Sequence, residues 1–187
     1  MNLPNKLSLM RVGLVPVLVI FYYLEITTNN FVIEGIVFQR FLALIFIIAS
    51  LTDFLDGYIA RKYHLVTVFG KFLDPLADKL IVMTALLILN DKGIVPMWIT
   101  LTILAREFIV TGIRLIAVGE GKVIAASKLG KYKTALTMVA LVLLLLYPFA
   151  NIFPVIGIYI LYVGVILTVI SGLDYFIKNK KIIMASI

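Results

Sequence analysis

Four aspartates dominate the chemistry this chain can carry. Asp53 and Asp56 fall with Gly57, Ala60 and Arg61 at i, i+3, i+4, i+7 and i+8, which places all five on one face of an α-helix. Gly70, Asp74 and Asp78 follow at i, i+4 and i+8, again a single face. Pro75 is expected in the first turn of that second helix or at a local kink, since its ring and missing N–H disturb a helix interior. Carboxylates that converge from two helices in a poorly hydrated site repel one another and must be protonated or neutralised by cations. All-oxygen ligands suit hard divalent ions, so Asp53, Asp56, Asp74 and Asp78 are read as ligands for two ions, Mg²⁺ or Mn²⁺. Such a pair clamps the attacking and leaving oxygens of a phosphoryl-group displacement. Gly57 and Ala60 leave space for a bulky ligand to approach the backbone, and Arg61 can meet a phosphate. One intramembrane aspartate alone can be a structural partner or part of a proton relay, and one glycine alone a helix-packing position. Four aspartates with glycines on their own faces point to a site.

The elements that must position these groups follow from composition. Of 187 residues, 63% are apolar and 14% charged, with a mean hydropathy of +1.12. A soluble domain of this size cannot cover its surface with so few polar groups. That excludes a disordered chain, a secreted disulfide scaffold and a soluble nucleic-acid binder, and the lack of cysteine excludes disulfides and thiolate–metal sites. Six apolar stretches are long enough to span a bilayer: about 8–26, 38–60, 75–90, 95–117, 133–150 and 154–177. The expected fold is therefore an all-α integral membrane protein of six transmembrane helices in a single domain over residues 1–187. Residues 8–26 are read as a retained helix, because no small-residue cleavage site follows them. Of the 17 basic residues, all but Arg40, Lys92 and Arg106 fall on one side of these spans. The net charge of +7 is thus mainly an orientation signal, with both termini and the aspartates expected on the cytoplasmic side.

Written out, residues 53–78 read D-x-x-D-G-x-x-A-R, eight residues, then G-x-x-x-D-x-x-x-D. This resembles the signature of the CDP-alcohol phosphatidyltransferases at every fixed position and in its central spacing. The resemblance implies a six-helix membrane fold, usually a homodimer, with a dinuclear metal site open to the cytoplasm. It implies transfer of a phosphatidyl group from a CDP-linked lipid, CDP-diacylglycerol, to an alcohol with release of CMP, a step of phospholipid biosynthesis. Asp53, Asp56, Asp74 and Asp78 then look like the metal ligands, with Asp78 also the base toward the acceptor hydroxyl. Asp53, Gly57, Ala60, Arg61 and Gly70 look like the wall for the cytidine diphosphate. The opening Pro4-Asn5-Lys6-Leu7-Ser8-Leu9-Met10-Arg11 resembles the family's nucleotide-side segment, which brings in Asn5 and Ser8; on residue type alone these two serve equally as helix caps.

The rest of the chain bears on the acceptor. Arg106-Glu107-Phe108, Thr111-Gly112-Ile113-Arg114 and Ala126-Ser127-Lys128-Leu129-Gly130-Lys131-Tyr132-Lys133-Thr134 are similar to the bacterial members of the family that use glycerol 3-phosphate. A dianionic acceptor beside four aspartates needs cations of its own, and Arg114, Lys131 and Lys133 lie at the correct membrane face. Arg106 is assigned to the same pocket, although a pair with Glu107 or a link to the next helix serves equally well. Thr111 is assigned there too, although a threonine in a span often bonds its own backbone. His64 reads as a solvated loop residue, and the terminal aromatics as interfacial belts. The last two spans read as scaffold or dimer surface. Two rivals remain: the same chemistry with inositol phosphate, serine or phosphatidylglycerol as acceptor, and a cation or proton transporter. A transporter expects carboxylates near the bilayer midplane in repeated halves, whereas here they cluster at one face without a repeat.

Overall fold

In lipid, a backbone can satisfy its polar groups internally only as a helix or a closed barrel, and long apolar runs without turn residues take the first course. The computed structural model describes residues 2–27, 32–63, 67–119, 128–147, 149–150 and 152–185; within the helices some side chains, those of Asp56, Ala60, Arg61 and Lys128 among them, lie outside the described residues. His64, Lys122, Ala126 and Ser127 also lie outside them. Six helices follow one another: α1 (Leu3–Thr27), α2 (Val32–Lys62), α3 (Val68–Asp91), α4 (Met97–Gly119), α5 (Lys128–Leu145) and α6 (Ile152–Ala185).

Three of these, α1, α2 and α6, are long and apolar enough to cross a membrane. The other three break their apolar runs with charge: Asp74, Asp78 and Lys79 in α3, Arg106, Glu107 and Arg114 in α4, and Lys128, Lys131 and Lys133 in α5. Large apolar side chains such as Leu101, Phe108, Leu115, Ile166, Leu173 and Ile177 point outward. Such a surface belongs to a membrane protein.

The helices overrun the apolar stretches at their polar ends. α3 begins at Val68 because Thr67 caps it: its backbone is extended (φ −112°, ψ 160°) and its hydroxyl accepts from the Gly70 N–H at 3.0 Å. Pro75 therefore lies inside α3 and not in its first turn. At the other end Gly93 takes φ +70°, its N–H bonds to the Asn90 carbonyl at 2.9 Å, and the Ile94 N–H bonds to the Leu89 carbonyl at 3.0 Å. That is a Schellman ending, with Pro96 preventing further helix.

Cross-helix pairs give the directions. Ser8 meets Asp74, Arg11 meets Asp78, Tyr22 meets Asp91 and Glu25 meets Lys92, so α1 and α3 run parallel in one register. Arg11 with Asp53 and Phe21 with Phe38 and Phe41 set α2 antiparallel to α1. α1 packs on α2 and α3, α6 packs on α4 and α5, and thinner contacts of α2 and α3 with α4 and α5 join the two trios. Leu18, Phe46, Leu86, Ile99, Leu144 and Leu161 fill the shared core. The thin seam between the trios is where the site lies.

Candidate active site

The first trio supplies the acids. Asp53 on α2 and Asp78 on α3 both receive the Nη1 of Arg11, Asp53 at 2.8 Å. Arg11 is fully buried, whereas the two carboxylates keep 34% and 36% of their side-chain surface exposed, so the pair opens outward. One turn earlier on α1, the buried Ser8 hydroxyl bonds to Asp74 and to the Pro4 carbonyl at 3.0 Å. Asn5, another turn back, accepts from the Thr67 hydroxyl at 3.0 Å. Asn5 and Ser8 are thus interior residues of α1 that fasten it to α3, and the capping alternative does not hold. Gly70 faces Asn5 so closely that a Cβ there would lie 2.7 Å from Asn5 Oδ1. Gly57 is half-buried on α2. The predicted metal ligands Asp53, Asp74 and Asp78 share one end of the bundle, but among the described residues no three acidic groups gather around one point, and the side chain of Asp56 is not among those described.

The second trio supplies the bases. Lys133 on α5 is buried and bonds to Glu107 on α4. Arg106 donates to the same Glu107 oxygen at 3.0 Å and to the Ser171 hydroxyl of α6 at 3.3 Å, and its Cγ lies where a Cβ on Gly172 would come within 3.1 Å. For Arg106 the pair with Glu107 is therefore seen, while its link runs to α6 and not to the next helix, α5. Thr111 donates to its own backbone, the Glu107 carbonyl, at 2.7 Å, and accepts from Lys79 of α3. Arg114 turns to Tyr175 of α6, with Nε 3.3 Å from the hydroxyl and the guanidinium over the ring at 5.7 Å. Lys131 is exposed.

A cavity of about 200 Å³ lies on the seam, with Asp53 and Asp78 on one wall, Glu107 and Lys133 opposite, and Lys79 between them. Val82, Ile103 and Met138 are among its apolar lining. Of the predicted residues this cavity unites Asp53, Asp78 and Lys133; Arg106 and Arg114 turn instead to α6, and Thr111 reaches the cavity only through Lys79. Arg11, Lys79 and Glu107 are site residues that sequence reasoning left out. For Arg11 a signal existed, since Asn5, Ser8 and Arg11 recur at i, i+3 and i+6 and form a polar stripe in the first half of a mostly apolar helix.

Acids and bases facing one another at one end of a membrane helix bundle suit transfer of a phosphate-bearing group between two anionic partners. The family model of CDP-alcohol phosphatidyltransferase matches residues 1–170, and the chain belongs to that family. A Bacillus subtilis (strain 168) protein named CDP-diacylglycerol–glycerol-3-phosphate 3-phosphatidyltransferase is 46% identical over 99% of this chain and 98% of its own length. Proteins of the same name from Rickettsia felis and Haemophilus influenzae are 40% and 39% identical, over 96% and 93% of this chain and 96% and 91% of their own lengths.

Proposed function

We propose that this chain transfers the phosphatidyl group of CDP-diacylglycerol to sn-glycerol 3-phosphate and releases CMP. The observation that carries the reading is the seam cavity, with carboxylates on one wall and a buried lysine on the other; the names and coverage of the relatives support it. The protein spans a bacterial plasma membrane six times as a homodimer, with both termini and the cavity at the cytoplasmic face. The bias of basic residues toward the cavity end supports that orientation.

The family is generally dependent on divalent metal. Carboxylates on facing helices, all oxygen donors and partly exposed, fit Mg²⁺ or Mn²⁺. Asp53, Asp56, Asp74 and Asp78 would hold two ions, which when bound neutralise the diphosphate. Asn5, Ser8, Gly57, Ala60, Arg61 and Gly70 form the donor side with Asp53. Lys133 holds the acceptor phosphate, joined by Lys79 from the seam, whose amine Thr111 receives and orients, while Arg106, Arg114 and Lys131 add positive charge around it. Asp78 takes the proton of the acceptor hydroxyl as its oxygen bonds to the lipid-side phosphorus and the bond to CMP breaks.

Purified protein given CDP-diacylglycerol, Mg²⁺ and a panel of radiolabelled acceptors is expected to label lipid from glycerol 3-phosphate and not from serine or inositol phosphate. Preference for a neutral or zwitterionic acceptor overturns the Lys133 assignment. Asp78→Asn is expected to lower kcat by about 10²–10⁴-fold, the range for a positioned general base, in protein that still folds. Full activity in that variant removes Asp78 as base.

A further inference from the structure

We propose that Arg11 is a resident counter-cation of the carboxylate site: it holds Asp53 and Asp78 together across two helices and competes with divalent metal for their oxygens. The proposal rests on the metal reading above. Arg11 is among the largest fully buried side chains in the protein, yet it stands at the end of the bundle where two carboxylates remain a third exposed. From α1, its Nη1 reaches Asp53 of α2 and Asp78 of α3 together. An arginine stays charged at any working pH and is weakly hydrated for a cation, which suits a permanent buried place beneath two partly exposed acids.

Two consequences follow from that placement. The guanidinium relieves the repulsion between Asp53 and Asp78, so these helix ends can pack without a metal ion. A divalent ion on the same oxygens meets a fixed, buried like charge at short range, where repulsion is strong. Metal affinity is therefore held below what the carboxylates alone would give. A merely structural arginine would produce the first effect without the second. The neighbouring Ser8–Asp74 bond carries no net positive charge and offers no such competition.

Mn²⁺ titrations of the purified full-length protein, followed by electron paramagnetic resonance, decide the matter. Arg11→Gln is expected to bind Mn²⁺ about tenfold more tightly than the unaltered protein, the size of coupling usual between two sites. Its unfolding temperature in chelator should fall, and Mn²⁺ should restore most of the loss. Arg11→Lys, which keeps the charge, should keep the weaker Mn²⁺ binding. Unchanged or weaker Mn²⁺ binding by Arg11→Gln, or equally tight binding by Arg11→Lys, overturns the proposal. Should Arg11→Gln be recovered unfolded from chelator, folding in Mn²⁺ supports the proposal and failure in both overturns it. If the unaltered protein binds no Mn²⁺, the metal reading falls and takes this proposal with it. Mn²⁺ binding that is lost in Asp53→Asn but indifferent to Arg11→Gln removes this proposal alone.

Discussion

At one end of α1 and α3, Ser8 and Arg11 reach Asp74 and Asp78; at the other end, Tyr22 and Glu25 reach Asp91 and Lys92. Both clusters join the same two helices in the same register, and both mix acids with a single cation. They differ in cover. The difference lies in the ion pair itself: Glu25 and Lys92 keep only 7% and 12% of their side-chain surface, against about a third for Asp53 and Asp78, although Asp91 is exposed and a cavity opens beside it. Lys92 is also fully served: it donates to Gln39 Oε1 at 2.7 Å and lies 5.6 and 5.8 Å from the ring centres of Tyr22 and Tyr147. Gln39 in turn donates to the Leu145 carbonyl at 3.3 Å, so α1, α2, α3 and α5 are tied at one point. An ion pair that is itself buried, as Glu25 with Lys92 is, holds helices together. One whose paired carboxylates stay partly exposed, as Asp53 and Asp78 do, can also receive a ligand.

The largest expected effect tests the covered cluster. Glu25→Gln leaves a buried ammonium without its carboxylate, a change that typically costs about 3–5 kcal/mol. Denaturant unfolding in detergent should show that loss, while the folded fraction keeps its KM values. Adding Lys92→Met to Glu25→Gln should recover much of the stability, since no uncompensated charge then remains. If Glu25→Gln leaves stability intact and changes kcat, the contrast between the two ends fails.

A smaller effect is expected across the seam, where the change falls on substrate and not on folding alone. Lys133→Met removes a buried cation from the acceptor side; loss of a charge-assisted bond of about 1.5–3 kcal/mol lowers kcat/KM for glycerol 3-phosphate roughly 10–100-fold. The KM for CDP-diacylglycerol should not move. Lys131→Ala, on the exposed side of the same helix, should change either constant less than about twofold, as surface charges do. Equal effects at Lys131 and Lys133 would dissolve the distinction that burial draws between them.

The aspartate stripes were legible because helical spacing alone puts such residues on a face, and a helix needs no tertiary information to do so. Apolar run length made the helices legible in the same way. Lys79 was harder, since it follows Asp78 directly and reads as a loop charge; only the antiparallel approach of α4 reveals that its amine turns to Thr111. The role of α6 was hidden for a related reason. Ser171 and Tyr175 are ordinary residues in an apolar span, and they matter because packing brings Arg106 and Arg114 to them. Expected as scaffold or dimer surface, α6 also steadies the basic wall. What spacing cannot convey is which neighbour a face will meet.

The smallest expected effect lies where α1 enters the open cluster. Gly70→Ala places a Cβ 2.7 Å from Asn5 Oδ1 and 3.2 Å from Thr67 Oγ1. Asn5 is almost wholly buried and already accepts from Thr67, so it cannot swing away without breaking that bond. Overpacking of this kind costs about 1–3 kcal/mol, and the low end applies because the obstructing atom ends a side chain. The displaced α1 terminus should raise the KM for CDP-diacylglycerol a few-fold and leave the glycerol 3-phosphate KM alone. Combining Gly70→Ala with Asn5→Ala removes the clash and should restore stability. If the donor KM recovers with it, Asn5 acts only by packing. A donor defect that persists in the relieved double variant assigns Asn5 a direct part in holding the nucleotide, which makes this end of α1 one wall of the site.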